Sequence, residues 1–171
     1  HVVNLLPIEK DEKISAMIRV DEVENDSYLV MVTRNGTIKR TALSAYRNVR
    51  KGGIIAINLE EGDELAWVRN TTGEDDLIIA TRQGVAIRFA ESDVRPMGRT
   101  ATGVRAIRLD EGDEVIAMAT CEEGGYLLTV TENGQGRRTA LGEYRTQNRG
   151  GRGVRNYDCE GKGTLVAGVR V

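Results

Sequence analysis

Three loops, each rich in arginine and glycine and free of acidic residues, recur along this 171-residue chain at intervals of about fifty residues. They read Tyr46-Arg-Asn-Val-Arg-Lys-Gly-Gly53, Val94-Arg-Pro-Met-Gly-Arg-Thr-Ala-Thr-Gly103 and Tyr144-Arg-Thr-Gln-Asn-Arg-Gly-Gly-Arg-Gly153. A period of this size belongs to propellers and solenoids, where one supersecondary unit cannot bury its apolar face alone and stacks on the next. Function is therefore sought in what every copy presents.

Residues with different physical jobs stay in phase. Loop-closing glycines fall at Gly53, Gly103 and Gly153, turn glycines at Gly36, Gly84 and Gly134, and apolar residues after an acidic turn at Leu65, Val115 and Leu165. The first loop is shorter, since Arg47 precedes its glycine more closely than Arg95 and Arg145 precede theirs. Each copy carries a β-rich apolar run: Tyr28–Thr33, Leu77–Thr81 and Tyr126–Thr131. Each run meets a glycine turn and then a second run, at Thr37–Thr41, Val85–Phe89 and Gln135–Thr139. Asn-Gly between such runs is a strong hairpin signal. Gly53–Leu59 and Leu65–Arg69, joined through Glu60–Glu64, read as two further strands. The expectation is an all-β, propeller-like array of four-stranded blades of about 50 residues each.

Counted between loop glycines, the approximate repeats are 1–53, 54–103 and 104–153, with a partial copy at 154–171. His1–Leu6 reads as the tail of a preceding copy, because Val3 aligns with Ile54 and Ile14 with Leu65 at one offset. The strand ending at Val171 is expected to start a fourth hairpin, so the array is expected to continue past both ends.

A net charge of −2 conceals a segregation of charge. Residues 44–59 hold Arg47, Arg50 and Lys51; 94–109 hold Arg95, Arg99, Arg105 and Arg108; 144–157 hold Arg145, Arg149, Arg152 and Arg155. None of these windows contains an acid, and the acids gather in other turns, such as Glu60–Glu64 and Asp110–Glu114. Stacking places equivalent positions on one edge, and a basic stripe is the footprint of a polyanion binder. Arg40, Arg88 and Arg138 recur on the hairpin's second strand and are expected on its outer face. A cation locked in phase can instead support the fold by pairing with an acidic turn of the next copy, and both readings stay open. The glycines of Arg149–Gly153 permit positive φ and close approach of backbone amides to an anion. Gln147 and Asn148 offer neutral hydrogen bonds that position a duplex without reading its sequence.

Other chemistry is poorly supplied. Gly161-Lys-Gly-Thr164 lacks phosphate-loop spacing, and the acidic turns lack the alternating ligands of a calcium loop. Cys121 and Cys159 have no C-x-x-C partner, and the single histidine, His1, cannot complete a catalytic set. Trp67 and Phe89 read as core residues, and one Trp, one Phe and five Tyr disfavour a single-strand mode built on stacking. No apolar stretch approaches the roughly 20 residues of a membrane helix and no charged-then-apolar leader opens the chain, so a cytoplasmic, non-membrane protein is expected.

Gln147-Asn-Arg-Gly-Gly-Arg-Gly153 resembles the Q-R-R-G-G-K-G box of the C-terminal domain of the DNA gyrase A protein. Asn148 replaces a basic residue of that box, and Arg152 keeps the charge of its lysine. Val3-Asn-Leu-Leu-Pro7, Asn35–Arg40, Thr102–Ile107 and Gly134–Ala140 extend the resemblance over essentially the whole chain. The family's defining box lies in the first blade, whereas this copy comes several blades in, so 147–153 is a box-like loop. The resemblance implies a six-bladed β-pinwheel whose blades exchange strands and whose basic outer rim wraps double-stranded DNA. It also implies that this domain works with the remainder of the gyrase A protein and with gyrase B, two copies of each, in an assembly that introduces negative supercoils using ATP. The family's catalytic tyrosine and its ATP site lie outside the domain, so ATP and Mg2+ are expected to act elsewhere, with no catalytic residue, metal or cofactor here. The DNA contacts implied are Arg40, Arg47, Arg50, Lys51, Arg88, Arg95, Arg99, Arg138, Arg145, Gln147, Arg149 and Arg152. The alternatives are the C-terminal domain of the A-type protein of topoisomerase IV and a protein-interaction propeller with no DNA role.

Overall fold

A computed structural model describes residues 8–19 and 26–171. The expected preceding tail, His1–Leu6, lies outside the described residues. Each apolar run and its partner form an antiparallel hairpin: β1 (Tyr28–Thr33) with β2 (Thr37–Ala42), β4 (Asp76–Thr81) with β5 (Val85–Ala90), and β8 (Tyr126–Thr131) with β9 (Gly136–Ala140). A third strand pairs with the other side of each first strand: β3 (Leu65–Thr71), β7 (Val115–Cys121) and β11 (Leu165–Arg170).

The fourth strand is shorter than expected, and it is exchanged between blades as the resemblance implies. Residues 53–59 form no strand, and their counterparts are two-residue strands, β6 (Val104–Arg105) and β10 (Val154–Arg155). β6 pairs with β2 of the preceding unit and β10 with β5, giving sheet orders β3-β1-β2-β6 and β10-β5-β4-β7. The third sheet is β11-β8-β9. Leu165–Arg170 therefore completes the third blade rather than starting a fourth hairpin. Ile14, aligned with Leu65 in sequence, lies in no strand and is exposed.

The strand exchange has a steric cause. To reach the outer edge of the preceding blade, the loop must pass close to that blade's backbone. At Gly103 (φ +112°) and Gly153 (φ +75°), a Cβ would stand 2.5 Å from the carbonyl oxygens of Ile38 and Ala86. Glycine alone allows both the dihedral and the approach.

Apolar residues line both faces of the middle blade, which explains why its strands read as continuous hydrophobic runs rather than alternating ones. One core joins Val30, Val32 and Ile38 to Leu77, Ile79, Ile87 and Phe89. A second joins Ile78, Ala80 and Ala86 to Leu127, Leu141, Tyr144 and Leu165. Phe89 is wholly buried and Trp67 packs half-buried against the first core, so both act as core aromatics. β3 and β11 each contact β7, so these three strands are the inner strands of the array and the crossing loops lie at its outer edge.

A threonine recurs at the end of each first strand. Thr33, Thr81 and Thr131 are buried, and their Oγ1 atoms accept hydrogen bonds from the amides of Thr37, Val85 and Gln135 at 3.1–3.2 Å. This closes each hairpin turn from within, beside the register shift where each of the three threonines meets its third strand. The Gly153→Ala variant should lose more stability than Gly134→Ala. Gly134 also has positive φ (+79°), but a Cβ added there would meet nothing within 4 Å. Gly134→Ala should cost about 1–2 kcal/mol and Gly153→Ala more, as read from urea midpoints.

Candidate nucleic-acid interface

The second and third loops run along the outer edges of the preceding sheets. The Met97 amide donates to Arg40 O (2.9 Å) and the Gln147 amide to Arg88 O (2.8 Å), with bridges Arg40–Pro96 and Arg88–Thr146 in the same phase. An exposed strand edge is normally a pairing hazard. Here the next copy's loop covers it and carries its arginines to the rim.

The acidic turns are committed elsewhere. Asp63 Oδ1 accepts from the amides of Asn35 and Glu64, and Asp113 Oδ1 from those of Gln83 and Glu114. Arg34 pairs with Glu64 (3.0 Å) and Arg82 with Glu114 (2.9 Å), while Arg34 also approaches Glu114 of the next unit (3.9 Å). Pairing with these two acidic turns thus falls to the hairpin-turn arginines Arg34 and Arg82.

Two of the three strand arginines depart from the outer-face expectation. Arg40 is buried: its Nε donates to Val94 O (2.8 Å), its guanidinium lies 3.8 Å from the fully buried Glu91 carboxylate, and it covers the Tyr28 ring at 4.5 Å. Arg88 is half-buried, pairs with Asp76 (2.7 Å) and donates to Leu141 O (3.0 Å). Both are covered because the following blade folds over the strand face that carries them. Arg138, with no described blade beyond it, is exposed and stacks on Tyr126 at 4.5 Å.

Loop cations divide in the same manner. Arg47, Arg50, Lys51, Arg95, Arg145 and Arg152 are exposed. Arg99 and Arg149 are half-buried and turned onto backbone: Arg99 donates to Ile55 O, and Arg149 donates to Asp93 O (3.2 Å) and to Arg105 O. The two interactions are equivalent, fifty residues apart, and stitch each loop to its predecessor. In the box-like loop, Gly150 and Gly153 have positive φ, Gly151 does not, Gln147 is half-buried and Asn148 is exposed. An open groove of about 540 Å³ runs beside it, lined by Asp93, Arg145, Thr146, Gln147 and Asn148 among others.

Two residues that carry much of the architecture escaped the sequence reading. Glu91 occupies the position held by buried Leu43 and Leu141 in the other copies, and there accepts from Thr71 Oγ1 (2.6 Å) and from the amides of Gly73 (2.7 Å) and Asp75 (2.9 Å). Its replacement of a leucine is the signal that could have marked it. Lys39 is fully buried under two loops, where Nζ donates to Ala56 O and Arg99 O. Burial, with the neighbouring Arg99 charge, lowers its pKa to about 8. Burial also pushes the Cys121 thiol up to about 11, which leaves it a poor nucleophile near neutral pH.

Fold and edge together define a class: an array of propeller-type blades whose exchanged loops build a basic outer rim. The sequence model of the DNA gyrase C-terminal domain, beta-propeller, matches residues 27–72, 75–122 and 125–171, and the chain belongs to that family. Its three matched segments coincide with the three sheets once the exchanged strands are set aside. The DNA gyrase A protein of Halalkalibacterium halodurans is 57% identical over 103 residues, 60% of this chain and 12% of that protein. That of Clostridium acetobutylicum is 55% identical over 104 residues, 61% of this chain and again 12% of the relative. The chain therefore spans about an eighth of the length of these relatives. A solved DNA gyrase A C-terminal domain superposes with a TM-score of 0.86 at 27% identity, covering 99% of this chain and 57% of that one. The C-terminal domain of a DNA topoisomerase IV shares the fold, with a TM-score of 0.85 at 24% identity over 100% of this chain and 70% of the other.

Two outcomes test this sorting of charges. Arg40→Ala, which removes the cation beside the buried Glu91 carboxylate and the donor to Val94 O, should cost about 3–5 kcal/mol, whereas Arg145→Ala should change stability by less than about 0.5 kcal/mol in urea titrations. Because the Lys39 pKa is lower folded than unfolded, the unfolded chain binds more protons between about pH 8 and 10.5. Stability of the wild type relative to Lys39→Met should therefore rise with pH across that window and stay flat below it.

Proposed function

We propose that this chain binds double-stranded DNA along its outer rim and bends it without reading sequence, as a DNA-wrapping part of a gyrase. The observation that carries the reading is the exposure of Arg95, Arg145 and Arg152 on the two loops that exchanged strands lay along the outer edge, with Arg47, Arg50 and Lys51 exposed at equivalent positions of the first loop. Their spacing follows the blades rather than any run of bases. Cations in such an array neutralise phosphates and hold the duplex to the curve of the rim. Bending a site of 20–30 bp costs on the order of 1–6 kcal/mol, offset by the added contacts. Arg138, exposed on β9, extends the same edge. Asn148 and the exposed face of the box-like loop add neutral and backbone contacts in the groove beside Arg145.

In the whole protein, this activity serves a gyrase A chain that joins gyrase B in a cytoplasmic A2B2 assembly and introduces negative supercoils with ATP. ATP and Mg2+ act outside this chain. Relatives that are gyrase A proteins, at 55–57% identity, favour this reading over a topoisomerase IV domain, for which the likeness is one of fold.

If about 6–10 phosphates are contacted, affinity should fall by about 10³–10⁵ between 50 and 200 mM salt, measured by fluorescence anisotropy on a labelled duplex. Replacing Arg47, Arg95 and Arg145 together with Ala should flatten that slope by about three. A shallow wild-type slope, or a triple variant that binds like wild type, would refute the proposal.

A further inference from the structure

The joints between successive loops are built differently. Between the second and third loops two backbone bonds accompany the Arg149 guanidinium: the Gly150 amide donates to Ala106 O and the Arg108 amide to Gly151 O, both at 2.8 Å. Between the first and second loops, the equivalent of the Arg108 bond is a longer one, from the Asn58 amide to Ala101 O at 3.3 Å. The carbonyl equivalent to Ala106 O is Ala56 O, and side chains reach it: Lys39 Nζ, and Tyr46 Oη at 3.1 Å. Lys39 also donates to Arg99 O, so one ammonium holds a carbonyl from each loop. The Arg99 guanidinium donates to Ile55 O, as Arg149 does to Arg105 O at the other joint.

Lys39 projects from β2, the strand whose outer edge carries the second loop. Its counterparts are Ile87, wholly buried in the core, and Arg137, exposed on β9. The first joint is thus the one closed by a buried lysine. A buried ammonium without a carboxylate partner is costly and is retained only where carbonyls satisfy its donors.

We propose that Lys39 is a positioning residue for the basic rim: held by carbonyls of both loops, it sets the spacing of the first and second loops and so the curvature they impose on DNA. The proposal rests on the DNA-bending reading for its consequence but not for its geometry. Lys39 is buried, so it offers no phosphate contact of its own. Its lowered pKa fits a docked side chain rather than a solvated one.

The test separates the two levels. Spin labels on Val49→Cys and Thr100→Cys, with Cys121 and Cys159 changed to Ser, report the distance between loops without DNA. Lys39→Met is expected to lengthen and broaden that distribution, and Lys39→Gln, whose amide still donates, to recover much of the wild-type distance. Energy transfer across an end-labelled duplex should then show a smaller bend for Lys39→Met in the intact chain. The salt slope should stay at the wild-type value rather than fall by the one unit that a lost phosphate contact removes. Identical distance distributions for wild type and Lys39→Met would overturn the proposal, as would a slope reduced by one. If the wild type fails to bend DNA, the functional reading falls while the distance measurement still judges the joint.

Discussion

Everything in this fold hangs on the pairing of the second and third loops with the outer edges of the blades that precede them. Two-residue strands are weak alone, yet β6 and β10 lie at the ends of loops already tied down by amides donating to Arg40 O and Arg88 O. That pairing closes a sheet edge, draws the next blade's apolar face onto its neighbour, and delivers arginines to the rim. Stability and function share one set of backbone hydrogen bonds, so the charge array cannot be moved without unpairing a sheet.

Repeated position did not mean repeated role. Arg40, Arg88 and Arg138 occupy one phase, and they are respectively buried against Glu91, paired with Asp76 and exposed on Tyr126. The determinant is what covers the strand. Where a following blade packs, the guanidinium is desolvated and must find carbonyls or a carboxylate; where none is described, it stays in solvent. Arg99 and Arg149 likewise turn onto backbone carbonyls of the preceding loop or blade, whereas Arg95, Arg145 and Arg152 stay exposed.

Much of the site was legible before any coordinates because hairpin turns, apolar runs and acid-free windows are local properties. Asn35-Gly36 marks a turn whatever surrounds it. The two-residue strands were not legible, since Val104-Arg105 has no length to show a period and its partner lies some 66 residues earlier in the chain. Glu91 and Lys39 were hidden for a related reason. A charged residue in sequence reads as solvated, and only the packing of neighbouring blades shows that these two are enclosed.

The order of amino acids was enough to establish the repeat, the hairpins, the β class and the three basic windows free of acids, because each follows from short-range periodicity, turn chemistry or local composition. Which blade owns each fourth strand, and which arginines are buried and which exposed, was settled by packing in three dimensions. Those choices depend on close approach between distant backbones, as at Gly103 and Gly153, and on the desolvation that follows when one blade covers another.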